Sequence, residues 1–393
     1  MALLTGCSVR GESAAPSPTP TRIDSTEVEA LFDAALPALV ARDRKAWREA
    51  LPVRGKAARA TVTELYTHLS PLTGTSFDAR AKLISSDPDF FEVSLIGEIG
   101  GVGPADRLLA ERVFQVRRID DRLVLVADKT PDEKQRVGVL TFESPRLIRG
   151  KGVVVLYESL WWRNARGLAD DSIWARRQLR RLGITTKKPV FIALYSSHEQ
   201  IADAFGRVFS EDRMPAMSIS ALRLSALPWT PTDIAAFAPA ITGTGDWVKH
   251  MLAHEMTHAF TMQWFAQTEH EPPLLLEGIA EAVEGSANYY ELRAAVARDP
   301  AEYRDTRLLA DFAVEDVWKD RTMKQVRLSY LEAGAVMGYI LKRWGPEKTK
   351  QFSLEVADSD LEPATIREIV QRTLGVSWPE FFDGWQAYLD TLP

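Results

Sequence analysis

Apolar residues recur at helical spacing behind Asp24-Ser25-Thr26-Glu27, a run that reads as a capping box. Val28, Leu31, Phe32, Leu36 and Leu39 share one face, with Pro37 marking a kink or break in it. A second amphipathic piece, Asp43 to Leu51, carries Trp47, and another helix is expected around Ala60 to Leu69. The apolar period then drops to two over Ala79 to Ser85, Phe90 to Gly97, Leu108 to Arg118 and Leu123 to Asp128. Asp120-Asp121 suits the turn of a hairpin joining the last pair. Helices followed by an antiparallel sheet predict an α+β unit.

A second pattern begins near Glu143. A Gly150-Lys151-Gly152 turn precedes the buried-looking strand Val153 to Tyr157; a helix over Ser172 to Leu182 then leads to a strand over Val190 to Tyr195. Met217 to Leu224 reads as a strand at a sheet edge, and Pro228 to Gly245 as a Pro- and Gly-interrupted passage. From there on the periodicity is helical: Trp247 to Gln263, Glu277 to Val283, Ala310 to Val317, Val326 to Gly345 and Trp378 to Leu389.

The chain has 393 residues, 46% hydrophobic and 26% charged, enough for about two domains. Its net charge of -6 gives no broad basic surface and so argues against a nucleic-acid partner. No apolar run approaches the roughly 18 residues of a membrane span. One cysteine excludes an intrachain disulfide.

Chemistry concentrates in His254-Glu255-Met256-Thr257-His258, followed after eighteen residues by Glu277-Gly278-Ile279-Ala280-Glu281. Residues four apart share a helix face, so His254 and His258 can present two imidazoles to one ion. Glu255 lies about 100° around the helix from His254, beside the ligands without competing for the metal, as a general base requires. Glu277 supplies a third ligand; a catalytic zinc takes three from the protein and leaves the fourth position to water, whose pKa falls to about 7. Glu281 lies one turn beyond Glu277 on the same face. The competing reading makes His254 and His258 core histidines. His250, His270 and His198 read as a flanking residue, a loop residue and a cap-region residue.

These residues resemble the gluzincin metallopeptidases, in particular the aminopeptidase N branch and the peptidase MA-like domains, with thermolysin more distant. The resemblance implies that His254, His258 and Glu277 hold one zinc ion, that Glu255 activates the zinc-bound water, and that Glu281 orients a ligand histidine. It also implies that Tyr330, in Tyr330-Leu-Glu-Ala-Gly-Ala, hydrogen-bonds the oxyanion, although the spacing is one residue longer than the aminopeptidase form. Two departures stand out. No Gly-x-Met-Glu-Asn stretch, which in aminopeptidases captures a free amine, occurs between Met214 and Trp247, and Leu274-Leu275-Leu276-Glu277-Gly278 replaces Trp-Leu-x-Glu-Gly. The resemblance spans residues 145–393 and implies a mostly helical zincin-like domain with a small sheet.

Residues 24–140 are similar, in element order, to an NTF2-like (SnoaL-type) α+β cone. Leu4-Thr5-Gly6-Cys7 resembles a bacterial lipobox, and the Pro-rich run after it resembles a tether, so residues 1–23 are expected to anchor the chain by a lipid on Cys7. Only Met1-Ala2-Leu3 precedes the box, short of a secretory leader. The resulting expectation is an extracytoplasmic zinc metallopeptidase, monomeric, acting on a peptide or protein substrate. The alternatives are a non-hydrolytic zinc-containing scaffold lipoprotein and an NTF2-like half that binds a small apolar molecule.

Overall fold

The computed structural model describes residues 22–72, 76–84, 90–100, 107–132, 138–184, 189–197, 200–201, 216–218, 233–237, 246–265, 268–270, 272–285, 287–312 and 322–393. Cys7, His198, 219–224 and 313–317, to which the sequence assigned elements or roles, lie outside the described residues.

Four helices open the fold: α1 (Ser25–Asp33), α2 (Leu36–Val40), α3 (Arg44–Ala50) and α4 (Lys56–Leu69). The expected capping box is present, Asp24 accepting from the Glu27 backbone and Glu27 from the Asp24 backbone. Pro37 sits in the first turn of α2, where its missing N–H costs nothing, so the break falls just before it. Strands β1 (Asp78–Leu83), β2 (Phe90–Ile96), β3 (Leu108–Ile119) and β4 (Arg122–Asp128) form an antiparallel meander in chain order. Asp120 and Asp121 turn β3 into β4 with φ of 50° and 60°, the left-handed pair that a two-residue hairpin demands. Phe32, Trp47, Phe91 and Phe114 fill the core between helices and sheet.

The second sheet is mixed: β5 (Pro145–Gly150), β6 (Val153–Glu158), β7 (Val190–Tyr195), β9 (Asp233–Phe237) and β8 (Ala216–Ser218), in that spatial order. β6, β7 and β9 run parallel and the two outer strands antiparallel. The sequence pattern missed β5 and β9. β5 is exposed along much of its length and lacks an apolar alternation, while β9 sits inside the passage read as interrupted by Pro and Gly.

β6 and β7 are buried at every position, as parallel strands covered on both faces are. Val153, Val155, Val190, Ile192 and Leu194 join the helical core, whereas Val154, Leu156, Phe191, Ala193 and Tyr195 join the core of the N-terminal half. Phe142 stacks on Tyr195 at 5.0 Å and Arg107 lies 4.3 Å over Phe191, so the two halves share apolar contacts across this sheet.

Helix α5 (Trp162–Arg181) links β6 to β7 and starts ten residues earlier than the sequence pattern suggested. Its inner stripe of Ala165, Leu168, Ala169, Ser172, Ala175 and Leu179 is made mostly of small residues, which carry little hydrophobic signal. The histidine helix (Asp246–Thr261) lies on α5, burying Val248, Leu252, Met256 and Phe260. The glutamate helix (Pro273–Glu284) crosses it. Glu277 therefore stands in the second turn rather than opening the helix: Pro273 starts it, and Leu274 and Leu275 are already buried.

The long helix (Met323–Ala357) backs the glutamate helix and bends at Gly345, where φ is 81° and Pro346 follows. Trp378–Leu389 closes the fold as the terminal pattern predicted.

Candidate metal centre

Two crossing helices bring three donor atoms together. His254 Nε2 and His258 Nε2, one turn apart on the histidine helix, are 3.1 Å from each other. Glu277 Oε2, from the glutamate helix, is 3.3 Å from each of them. The rings meet edge to face, with centroids 4.8 Å apart and planes at 77°.

These edges test the fit of a metal. Donors held at the usual zinc distance of roughly 2.0–2.1 Å in a tetrahedral arrangement lie about 3.3–3.4 Å from one another. The observed triangle comes within a few tenths of an ångström of that on every edge. Its two nitrogens and one carboxylate oxygen suit zinc, and a set of three leaves a position open.

The same contacts shift the protons of the cluster. Burial would raise the Glu277 carboxyl, but the His258 charge and the contacts with both imidazoles outweigh it and hold Glu277 far below the usual carboxylate range. Burial would lower His254, yet hydrogen bonds to Glu277 and Glu284 and the nearby Glu255 charge raise it well above its ordinary value. Burial, with Glu284 and Glu277 adding to it and His254 opposing it, pushes Glu281 up to about 7. Glu277 is thus held ionised against the two imidazoles, while Glu281 is driven toward its neutral form.

The sequence-predicted residues fall into place unequally. His254, His258 and Glu277 form the triangle, and Glu255 is half-buried next to His254. Glu281 approaches His254 on its other side, but its Oε1 is 3.8 Å from Nδ1, beyond hydrogen-bond length. Glu284, which the sequence pattern did not single out, accepts a hydrogen bond from that nitrogen at 3.0 Å. The missed signal was the stripe Glu277, Glu281, Glu284, spaced four and then three along one helix face. A second possible metal grouping, His254 with Glu281 and Glu284, uses this same outer side of the ring.

Tyr330 is half-buried on the long helix, one turn before Gly334, whose backbone packs against Glu281 and the Tyr289 hydroxyl. His250 donates from Nδ1 to the Glu284 carbonyl oxygen, and His270 lies in the loop between the two site helices, its backbone N–H bonded to Ala357.

Protein-family models give no match to this chain, and neither curated proteins nor solved structures give one.

Proposed function

We propose that this chain is a zinc-dependent metallopeptidase of the gluzincin type that hydrolyses peptide bonds at the donor triangle. One observation carries the reading. Two imidazole nitrogens and a carboxylate oxygen from crossing helices converge at 3.1–3.3 Å, with a further carboxylate, Glu255, adjoining the first histidine in the chain.

His254, His258 and Glu277 would hold the metal, which when bound supplies a Lewis acid that polarises a carbonyl and acidifies a water. Glu255 takes a proton from the attacking water at its carboxylate and passes it to the departing amine nitrogen. Water thereby adds across the C–N bond, hydroxyl to carbon and proton to nitrogen. The Tyr330 hydroxyl donates to the carbonyl oxygen as negative charge grows on it. An extended peptide has a partner strand in β8, last in the order of its sheet and packed on the histidine helix.

The test pairs metal content with hydrolysis. Purified protein should hold about one zinc per chain, as expected for three ligands and one open position. Glu255→Gln should keep the zinc and lose cleavage of a peptide library. Unimpaired cleavage by Glu255→Gln would sink the mechanism. Zinc without cleavage in the wild type would favour the scaffold reading.

A further inference from the structure

We infer that the outer face of α5 is a docking surface for an anionic phospholipid bilayer. The net charge of -6 gives no reason to expect a basic face, yet this helix has one. At 3.6 residues per turn, Arg163, Arg166, Arg177, Arg180 and Arg181 fall within about 100° of arc and along about 27 Å of helix. All five are exposed, and the one acid among them, Asp170, pairs with Arg166 at 3.5 Å. Arg146 extends the charge onto the outermost strand. It is exposed on β5, two residues from Ile148, which packs on the core that α5 covers, so the two share that side of the sheet.

The basic face begins in apolar surface. Leu160, in the turn that leads into α5, is 65% exposed, and Trp162, at the first position of the helix, is 54% exposed. The Arg163 guanidinium lies 5.5 Å from the Trp162 ring, so cation and indole share one spot. Guanidinium groups pair with headgroup phosphates, an indole sits at headgroup level, and a leucine reaches the acyl boundary.

The acidic remainder of the molecule does not oppose this. Charge is felt over roughly 10 Å at 0.1 M salt, so a plane that meets only this face meets its arginines. An exposed leucine gains from acyl chains and gains little from a phosphodiester backbone, which favours a bilayer over a nucleic acid as the occupant. The sequence adds a reason of its own: the lipid expected on Cys7 would bring the chain to a membrane, and a lipid anchor holds more firmly when a basic patch joins it. The histidine helix packs on another side of α5, where Trp174 meets His250 at 5.2 Å, so docking does not require that helix to move.

The experiment is sedimentation with lipid vesicles, using the full chain with Cys7→Ser so that no lipid is attached. At about 0.1 M salt it should bind vesicles of about one-third phosphatidylglycerol in phosphatidylcholine, and leave pure phosphatidylcholine vesicles unbound. The combined change Arg163→Gln, Arg177→Gln and Arg181→Gln should weaken binding about 100-fold, at roughly fivefold for each cation near an anionic surface. Leu160→Ala with Trp162→Ala should weaken it about tenfold or more, through lost apolar burial. Both variants should unfold at the parent's denaturant midpoint, because the side chains they change are exposed.

Undiminished binding by the arginine variant overturns the inference, as does equal binding to the two kinds of vesicle. Full affinity in the Leu160 and Trp162 variant also overturns it, leaving only a general attraction of cations. Duplex DNA captured in preference to the charged vesicles overturns it as well, and makes the face a nucleic-acid surface.

Discussion

Gly278 lies so close to the carbonyl oxygen of Ala333 that a methyl group on it would sit 2.5 Å from that oxygen. The contact is to backbone, which no rotamer change relieves. Glu277 is the preceding residue, so the approach of the long helix to the glutamate helix also sets where the third donor stands. Gly278→Ala gains about 1 kcal/mol of helix propensity but must push the two helices apart. The expected net result is destabilisation by about 1–3 kcal/mol together with weaker zinc binding. Thermal unfolding and chelator competition on one sample check both. A variant as stable as the wild type with full zinc affinity would mean that the helix spacing does not position Glu277.

Zinc should stabilise the fold and compete with protons. At a free concentration near 100 times its dissociation constant, a ligand of the folded state alone adds about 2.7 kcal/mol, and a chelator should remove that increment. Glu277→Ala should abolish most of it, while Glu255→Gln should retain it. Protons on His254, held well above its ordinary affinity, occupy the lone pair that a metal would take. Zinc binding should therefore release protons and tighten as pH rises, which calorimetry in buffers of different ionisation enthalpy reads directly. Affinity independent of pH would argue against histidine ligation.

Much of this was legible in the sequence, for reasons that differ by element. The spacing of His254, His258 and Glu277 specified which side chains could meet, because a helix face and a donor chemistry are both local properties of sequence. The caps at Asp24 and the turn at Asp120-Asp121 are local too, and the structure has them where the pattern put them. The contact of Glu284 with His254 was hidden because it depends on how two helices pack, which brings Glu284 nearer to that ring than Glu281. The first half of α5 was hidden because its buried apolar stripe is two alanines and a single leucine, and β5 because one strand pairing, and no apolar period, defines it.

The bend in the long helix is a cleaner test of backbone strain. Gly345 has φ 81°, and a Cβ there would meet nothing within 4 Å, so any cost of a side chain is conformational. Gly345→Ala should destabilise by about 1–3 kcal/mol, and Gly345→Asn by a similar amount, because with ψ 174° the residue lies in a positive-φ region essentially reserved to glycine and outside the left-handed helical region that asparagine tolerates. Urea unfolding measures both. Equal stability of all three would show that the bend relaxes at no cost.

Glu332 gives the pH dependence least entangled with the metal site. It is fully buried in the long helix, with Arg307 Nε 3.9 Å from its carboxylate and Asp311 and Tyr303 also acting on it. Burial first, then the Asp311 charge, raises its carboxyl well above the ordinary value of 4.5. The sign follows from linkage. Below about pH 4.5 the carboxyl is protonated in both states and contributes no slope. Above that the unfolded chain releases the proton while the folded chain keeps it, so stability falls as pH rises, until the folded carboxyl ionises as well. Glu332→Gln keeps the shape and a donor but cannot ionise. It should match the wild type near pH 4 and exceed it at pH 8, by about 1–3 kcal/mol, the cost of a poorly satisfied buried polar group. Denaturant midpoints of the two proteins across this range decide the matter: parallel curves would place the proton elsewhere, and a variant less stable at pH 8 would mean that the ionised Glu332 is held by Arg307 after all.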